Sequence, residues 1–249
     1  MSIVIACKFK NGILFESDRQ VTYNGNRSEN QVNKIMKVDD QPLVIGGVGL
    51  LRELQQIFYI SKEWFSDFGG KDLSANTCIT YINRLTNLFR EKQFICENQI
   101  IDHLQGSFIL ADPYNINIIS PDLSVLSNFD YYAVGCGSDL VMGHLNVLFS
   151  KKDPKEMSKT EIDKVLSDCI KIACKDDIAI DNNLDKIALY KRPDDLIEDD
   201  DYEIINKCEY DILDKSKPKN ECHKNCTSCL HNIKFIYSKK DKTIRTISN

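Results

Sequence analysis

The stretch Ser2-Ile3-Val4-Ile5-Ala6-Cys7-Lys8-Phe9-Lys10-Asn11-Gly12-Ile13-Leu14-Phe15-Glu16-Ser17-Asp18-Arg19 decides the fold. Two short runs rich in β-branched residues, Ile3 to Cys7 and Ile13 to Phe15, flank Lys10-Asn11-Gly12, and an Asn-Gly pair between apolar runs is a strong hairpin signal. A first β-hairpin is predicted. Beyond a polar loop around Tyr23-Asn24-Gly25-Asn26, strand-like segments Lys34 to Val38 and Leu43 to Gly47 flank the turn-like Asp39-Asp40-Gln41-Pro42. The chain therefore opens with an antiparallel sheet.

From Leu50 the apolar residues take helical spacing, with Leu51, Leu54, Ile57, Phe58 and Phe65 on one face and then Ile79, Ile82, Leu85, Leu88 and Phe89 on another, separated by Gly69-Gly70. Strands return at Ser107 to Ala111, Ile116 to Ser120 and Tyr131 to Val134, two helices follow at about 138–149 and 158–174, and a last strand runs from Lys186 to Tyr190. This order predicts an α+β, four-layer αββα sandwich of two antiparallel sheets between helical layers, because each sheet must bury a face and each helix a stripe. Asp194 to Glu203 holds seven Asp/Glu and no base, which marks a domain boundary. The expected division is a main domain over 1–192 and an acidic linker with a Cys/His-rich extension over 193–249. There is no internal repeat.

The whole chain of 249 residues, 42% hydrophobic and 28% charged, has the composition of a soluble globular protein. Acids outnumber bases 37 to 32, for a formal charge of −5, which argues against a general nucleic-acid binder. No apolar run approaches the roughly 18–20 residues that cross a bilayer, and the N-terminus carries no export signal, so no membrane association and a cytoplasmic location are expected. The ten cysteines are accordingly read as thiols. Cys7, Cys78, Cys96, Cys136, Cys169 and Cys174 stand among apolar residues, where free Cys behaves as a small hydrophobe.

The Ser2 to Arg19 stretch resembles the opening strands of proteasome β-subunits and of the bacterial heat-shock protease that shares their fold, the N-terminal-nucleophile hydrolases. That family begins its mature chain with a nucleophilic threonine, closes the second strand with an aspartate and begins the third with a lysine. Ser2, Asp18 and Lys34 fall at the matching positions without a gap. A hydroxyl is a weak nucleophile until a base takes its proton. The free α-amino group of an N-terminal Ser can be that base, with an unperturbed pKa of roughly 7.7–8.0 near working pH. Met1 must first be removed, which is normal when a small residue follows. Lys34 would then depress the proton affinity of the amine and hydroxyl, and Asp18 would keep Lys34 charged and oriented.

Acyl transfer also needs donors for an oxyanion, and a glycine turn lets backbone N–H groups approach closely. Gly46-Gly47 resembles the family's strand-to-helix glycine, with Gly47 the preferred match and Gly46 the auxiliary one. Tyr131-Tyr132-Ala133-Val134-Gly135-Cys136-Gly137-Ser138 resembles the glycine-rich turn before the family's third helix, with Cys136 where a serine is usual. The family's aspartate followed by Ser-Gly-Gly is met loosely by Asp176-Asp177-Ile178-Ala179-Ile180-Asp181, which makes Asp177 and Asp181 auxiliary site residues.

The extension packs Cys222, His223, Cys226, Cys229 and His231 into ten residues, with Cys208 upstream. Cys226-x-x-Cys229 is a zinc half-site spacing, which Cys222 and one of Cys208, His223 or His231 would complete as a structural site. Ile233 to Tyr237 and Thr243 to Ile247 read as a small hairpin that such a metal would staple.

The resemblance implies a peptidase acting on peptides or unfolded proteins through Ser2, in a homo-oligomeric ring with an ATP-dependent unfoldase partner, and needing no cofactor for catalysis. The chain itself contains no nucleotide-binding motif. An inactive assembly or binding subunit of the same fold, or a small-amide hydrolase, are the competing expectations.

Overall fold

The computed structural model describes residues 2–23, 26–39, 41–65, 73–91, 104–176, 180–192, 202–208, 232–238 and 243–247. The chain divides into two compact units, Met1–Tyr190 and Lys191–Asn249.

In the first unit β1 (Ile3–Phe9) and β2 (Gly12–Asp18) form the predicted hairpin, with Lys10-Asn11 as its loop and Gly12 as the first residue of the second strand, paired to Phe9. Gly12 is required there by close approach, since a Cβ on it would lie 1.9 Å from the Leu189 carbonyl oxygen. Both flanks of the hairpin are filled. β10 (Tyr131–Gly135) pairs with β1, and β11 (Leu184–Tyr190) pairs with β2, giving an antiparallel sheet of order β10-β1-β2-β11. A second antiparallel sheet has the order β5-β6-β7-β8-β9, from β5 (Ile35–Lys37), β6 (Val44–Val48), β7 (Ser107–Ala111), β8 (Ile116–Ile119) and β9 (Val125–Leu126). Of the stretch expected as a polar loop, Tyr23 and Asn26 pair as strand residues of a separate two-stranded hairpin, β3 (Gln20–Tyr23) with β4 (Asn26–Gln31), and Asn24 and Gly25 lie outside the described residues. The hairpin's residues are too polar to carry the alternation by which strands are recognised.

Three apolar clusters make the four layers. Ile3, Ile5, Cys7 and Leu14 pack on Val141, Leu145, Ile162, Leu166 and Ile170 of α3 (Ser138–Phe149) and α4 (Lys159–Asp176). The alternate residues Val4, Ala6, Ile13 and Phe15 join Ile35, Val44, Ile109 and Ile118 between the sheets. On the far side Ile45, Phe108 and Leu110 meet Leu54, Ile57 and Ile60 of α1 (Leu51–Trp64) and Cys78, Tyr81, Ile82 and Leu85 of α2 (Ala75–Glu91). With both faces of β1 buried, the period of two is hidden and the strand reads as a continuous apolar run.

The helical faces are shifted from the expected ones. Leu51 is 37% exposed and Ile79 46% exposed. In α2 the buried set 78, 81, 82 and 85 keeps the i, i+3, i+4, i+7 spacing and leaves Ile79 one step outside the stripe. No helix of the described residues is long and apolar enough to cross a membrane.

In the second unit β12 (Tyr202–Cys208), β13 (Asn232–Ser238) and β14 (Thr243–Ile247) form an antiparallel sheet with β13 central. The predicted hairpin thus gains a third strand, drawn from the end of the acidic run.

Candidate active site

The hairpin and its two neighbours converge on Ser2. Gly135, at the end of β10, has φ +120° and approaches so closely that a Cβ would lie 1.9 Å from the Ser2 carbonyl oxygen. Only glycine suits that backbone and that contact. The next residue, Cys136, donates its backbone N–H to the same Ser2 oxygen at 3.1 Å, and its exposed thiol lies 3.6 Å from it. On the other side, Asp18 Oδ1 accepts the Ile3 N–H at 2.8 Å and Asp18 Oδ2 accepts the Gln20 N–H at 3.1 Å. Ser2 is thereby clamped through its own carbonyl and through the following amide.

The same Asp18 Oδ1 accepts a hydrogen bond from Lys34 Nζ at 2.7 Å. Lys34 stands just before β5, so Asp18 joins the start of β1 to the start of β5 across the two sheets. Both side chains are buried. Burial raises the Asp18 carboxyl and lowers the Lys34 ammonium, while their mutual attraction and hydrogen bond act against it. A lysine whose proton affinity is lowered is suited to proton exchange. Asp181 and Cys136 also bear electrostatically on Lys34. Asp181 Oδ1 accepts the Arg19 N–H at 3.3 Å and the Asn183 N–H at 3.1 Å, which ties the turn before β11 to the end of β2.

The structure therefore brings together Ser2, Asp18, Lys34, Cys136 and Asp181, which are spread over 180 positions of sequence. Gly46 and Gly47 lie inside β6. Gly46 faces the layer between the sheets, where a Cβ would meet Val4 Cγ1 at 2.7 Å, and Gly47 faces α1, where a Cβ would meet Phe108 Cδ1 at 2.2 Å. The Gly47 N–H donates to the Lys34 carbonyl at 2.9 Å, so an oxyanion would compete with that carbonyl for it. Asp177 and the zinc ligands expected at Cys222, Cys226, Cys229 and His231 lie outside the described residues. Among the described residues no group of three or more His, Cys, Asp or Glu could hold a metal ion.

Two antiparallel sheets between helical layers, with a Ser-Asp-Lys cluster at the head of the first strand, define the N-terminal-nucleophile hydrolase class. The family model described as "Proteasome subunit" matches residues 2–187, and the chain belongs to that family. Solved structures agree in fold. The BPH protein of Thiobacillus denitrificans is similar at 16% identity and TM-score 0.60, over 77% of this chain and 99% of that one. Its complex with epoxomicin gives 17% identity and TM-score 0.59, over 77% and 100%. The eukaryotic HslV of Trypanosoma brucei gives 14% identity and TM-score 0.60, over 76% and 99%.

Proposed function

We propose that the protein is a proteasome-like peptidase that cleaves peptide bonds through Ser2 after removal of Met1. The observation that carries this is the double use of Asp18 Oδ1, which holds Lys34 Nζ at 2.7 Å and the amide following Ser2 at 2.8 Å. One carboxylate oxygen thus sets the lysine against the nucleophile's own backbone. In the proposed reaction the freed α-amino group takes the Ser2 hydroxyl proton as Oγ attacks the substrate carbonyl carbon. Lys34 supports the developing alkoxide by its charge, and the Gly47 N–H, shared with the Lys34 carbonyl, receives the oxyanion. The amino group then passes its proton to the leaving amine, and water hydrolyses the acyl ester and restores Ser2. Asp181 and Asp177 would order the surroundings of the new N-terminus.

The substrate class proposed is peptide or unfolded protein, handled in a homo-oligomeric ring in the cytoplasm, with an ATP-dependent unfoldase as partner. Catalysis needs no cofactor, since nucleophile and base belong to one residue. We further propose structural zinc on Cys222, Cys226, Cys229 and His231 of the extension, on the strength of the Cys-x-x-Cys spacing; elemental analysis of the purified full chain should return about one zinc per chain, and none for Cys226→Ser/Cys229→Ser.

The competing reading, an inactive assembly subunit, is favoured by two details: the Gly47 N–H is already engaged, and Cys136 offers a thiol where the family places a hydroxyl. Intact-mass analysis with a β-lactone decides between them. The peptidase reading requires loss of Met1 and one adduct that Ser2→Ala abolishes. Epoxomicin, which is bound to the Thiobacillus protein, should likewise add to this chain at Ser2. Retention of Met1, or labelling unaffected by Ser2→Ala, would favour the inactive subunit.

A further inference from the structure

Beside the Asp18–Lys34 pair, three buried polar atoms that the proposed mechanism does not use lie together. Ser17 is fully buried, with its Oγ bonded to no protein group. Asp185 is its register partner across β2 and β11, so the two side chains share a face of the sheet. Asp185 Oδ2 lies 3.4 Å from Arg19 Nε in an ion pair without hydrogen-bond alignment, and both atoms are shut off from solvent and lack a hydrogen-bond partner. One buried polar atom without a hydrogen bond is an oddity of packing; Ser17 Oγ on the same face as an ion pair that itself lacks a hydrogen bond gives a hydroxyl, a donor and an acceptor that form a complementary set.

We propose that Ser17, Arg19 and Asp185 form a binding site for one ordered water, which positions the catalytic lysine from behind. The water accepts from Arg19 Nε and donates to Asp185 Oδ2 and Ser17 Oγ, which meets the requirement of two to four polar partners for a buried water. The face is the one turned to the layer between the sheets, because Ser17 alternates with Ile13 and Phe15 of that layer. Val4, two residues along the chain from Ser2, pairs with Ser17. The site therefore adjoins the nucleophile.

Its leverage on Lys34 runs through Arg19. Arg19 Nη2 donates to Asn33 Oδ1 at 2.8 Å, next to Lys34 in the chain, and the Arg19 N–H is held by Asp181. A water that fixes Nε sets the plane of the guanidinium, and with it the strand entry that carries Lys34. Ser17 is a positioning residue in this account, and it touches no substrate. A hydroxyl at position 17 would otherwise cost stability for no return, since an unpaired buried hydroxyl is destabilising.

The positioning role rests on Ser2 being the nucleophile; the water site itself does not, and two measurements keep them apart. A high-resolution crystal structure of the full chain should show a water within about 2.7–3.2 Å of Ser17 Oγ, Arg19 Nε and Asp185 Oδ2. Ser17 or Asp185 bonded directly to protein in place of that water overturns the site. In parallel, the second-order rate of β-lactone addition at Ser2 and its pH profile are compared for the wild type, Ser17→Ala, Ser17→Val and Ser17→Thr. Val fills the space without a hydroxyl and should slow addition about tenfold with a displaced pH profile, Ala should slow it less, and Thr should restore the rate. Wild-type rate and profile in both Ala and Val, with the water present, overturn the positioning role. A wild type that takes up no label overturns the role of Ser2, and with it the positioning role, while the crystal structure still decides the water site.

Discussion

At the scale of single residues, the site depends on one buried ion pair. Removing a partner from such a pair strands the other charge, typically at about 3–5 kcal/mol, so Lys34→Ala should lose stability as well as reactivity. Asp18→Asn separates these effects better, because the amide keeps the shape and its single oxygen can still accept from one of the Ile3 and Gln20 amides, which bond to different oxygens of Asp18. It should lower the β-lactone addition rate at least about 100-fold while the protein remains folded by circular dichroism. A wild-type rate in Asp18→Asn would remove Asp18 from the mechanism. The contact between Asp18 and Lys34 was foreshadowed in the sequence by the ungapped family resemblance, which aligned Ser2, Asp18 and Lys34 with one site. Arg19, Asn33 and Asp185 were not, since Asp185 arrives on a strand from far along the chain that pairs with β2, and Asn33 on the approach to the other sheet. Ser17 did leave a trace: it is the hydroxyl in the alternation Ile13, Phe15, Ser17.

At the scale of elements, the contact between β2, β11 and α4 carries a pH dependence. Glu16 is fully buried beneath α4, where Ser167 Oγ donates to it at 2.9 Å, Lys186 Nζ lies 3.5 Å away, and Asp163 and Cys169 are the other titratable neighbours. Burial, with the neighbouring Asp163 carboxylate, pushes its pKa from 4.5 up to about 8, while Lys186 leans to Asp163. Folded Glu16 thus holds a proton that the unfolded chain releases. Its stabilising contribution is complete below about pH 4.5 and is lost as pH rises to about 8. Denaturant unfolding should show stability falling by a few kcal/mol across that window, and Glu16→Gln should flatten the fall; equal slopes in both proteins would contradict this assignment. Elsewhere the β10–α3 turn needs Gly135. Gly135→Ala must bear a positive φ, worth about 1–2 kcal/mol, and a clash with the Ser2 carbonyl, so it should both lower the melting temperature and slow labelling. Strand and helix order was legible from apolar spacing. The hairpin β3–β4 escaped because its mostly polar residues, exposed along β4, carry no period.

At the scale of the whole molecule, the family match ends at residue 187 and the first compact unit at Tyr190, and every residue of the Ser2 cluster described above belongs to that unit. A chain ending at residue 192 should therefore take the β-lactone label at close to the full-length rate. A large loss of labelling in a folded truncated protein would assign the extension a part in the site. The four-layer architecture was legible from the order of elements because each apolar face must find a cover. The third strand of the extension was not, because Tyr202 to Cys208 begins inside an acidic run that the sequence presents as a linker. The central claim is that a trimmed N-terminal serine is the nucleophile, and one spectrum tests it. Intact-mass analysis of the purified protein after incubation with the β-lactone should show a chain lacking Met1, carrying one adduct, with the adduct gone in Ser2→Ala. A chain that keeps Met1, or that is labelled equally well without the Ser2 hydroxyl, would contradict it.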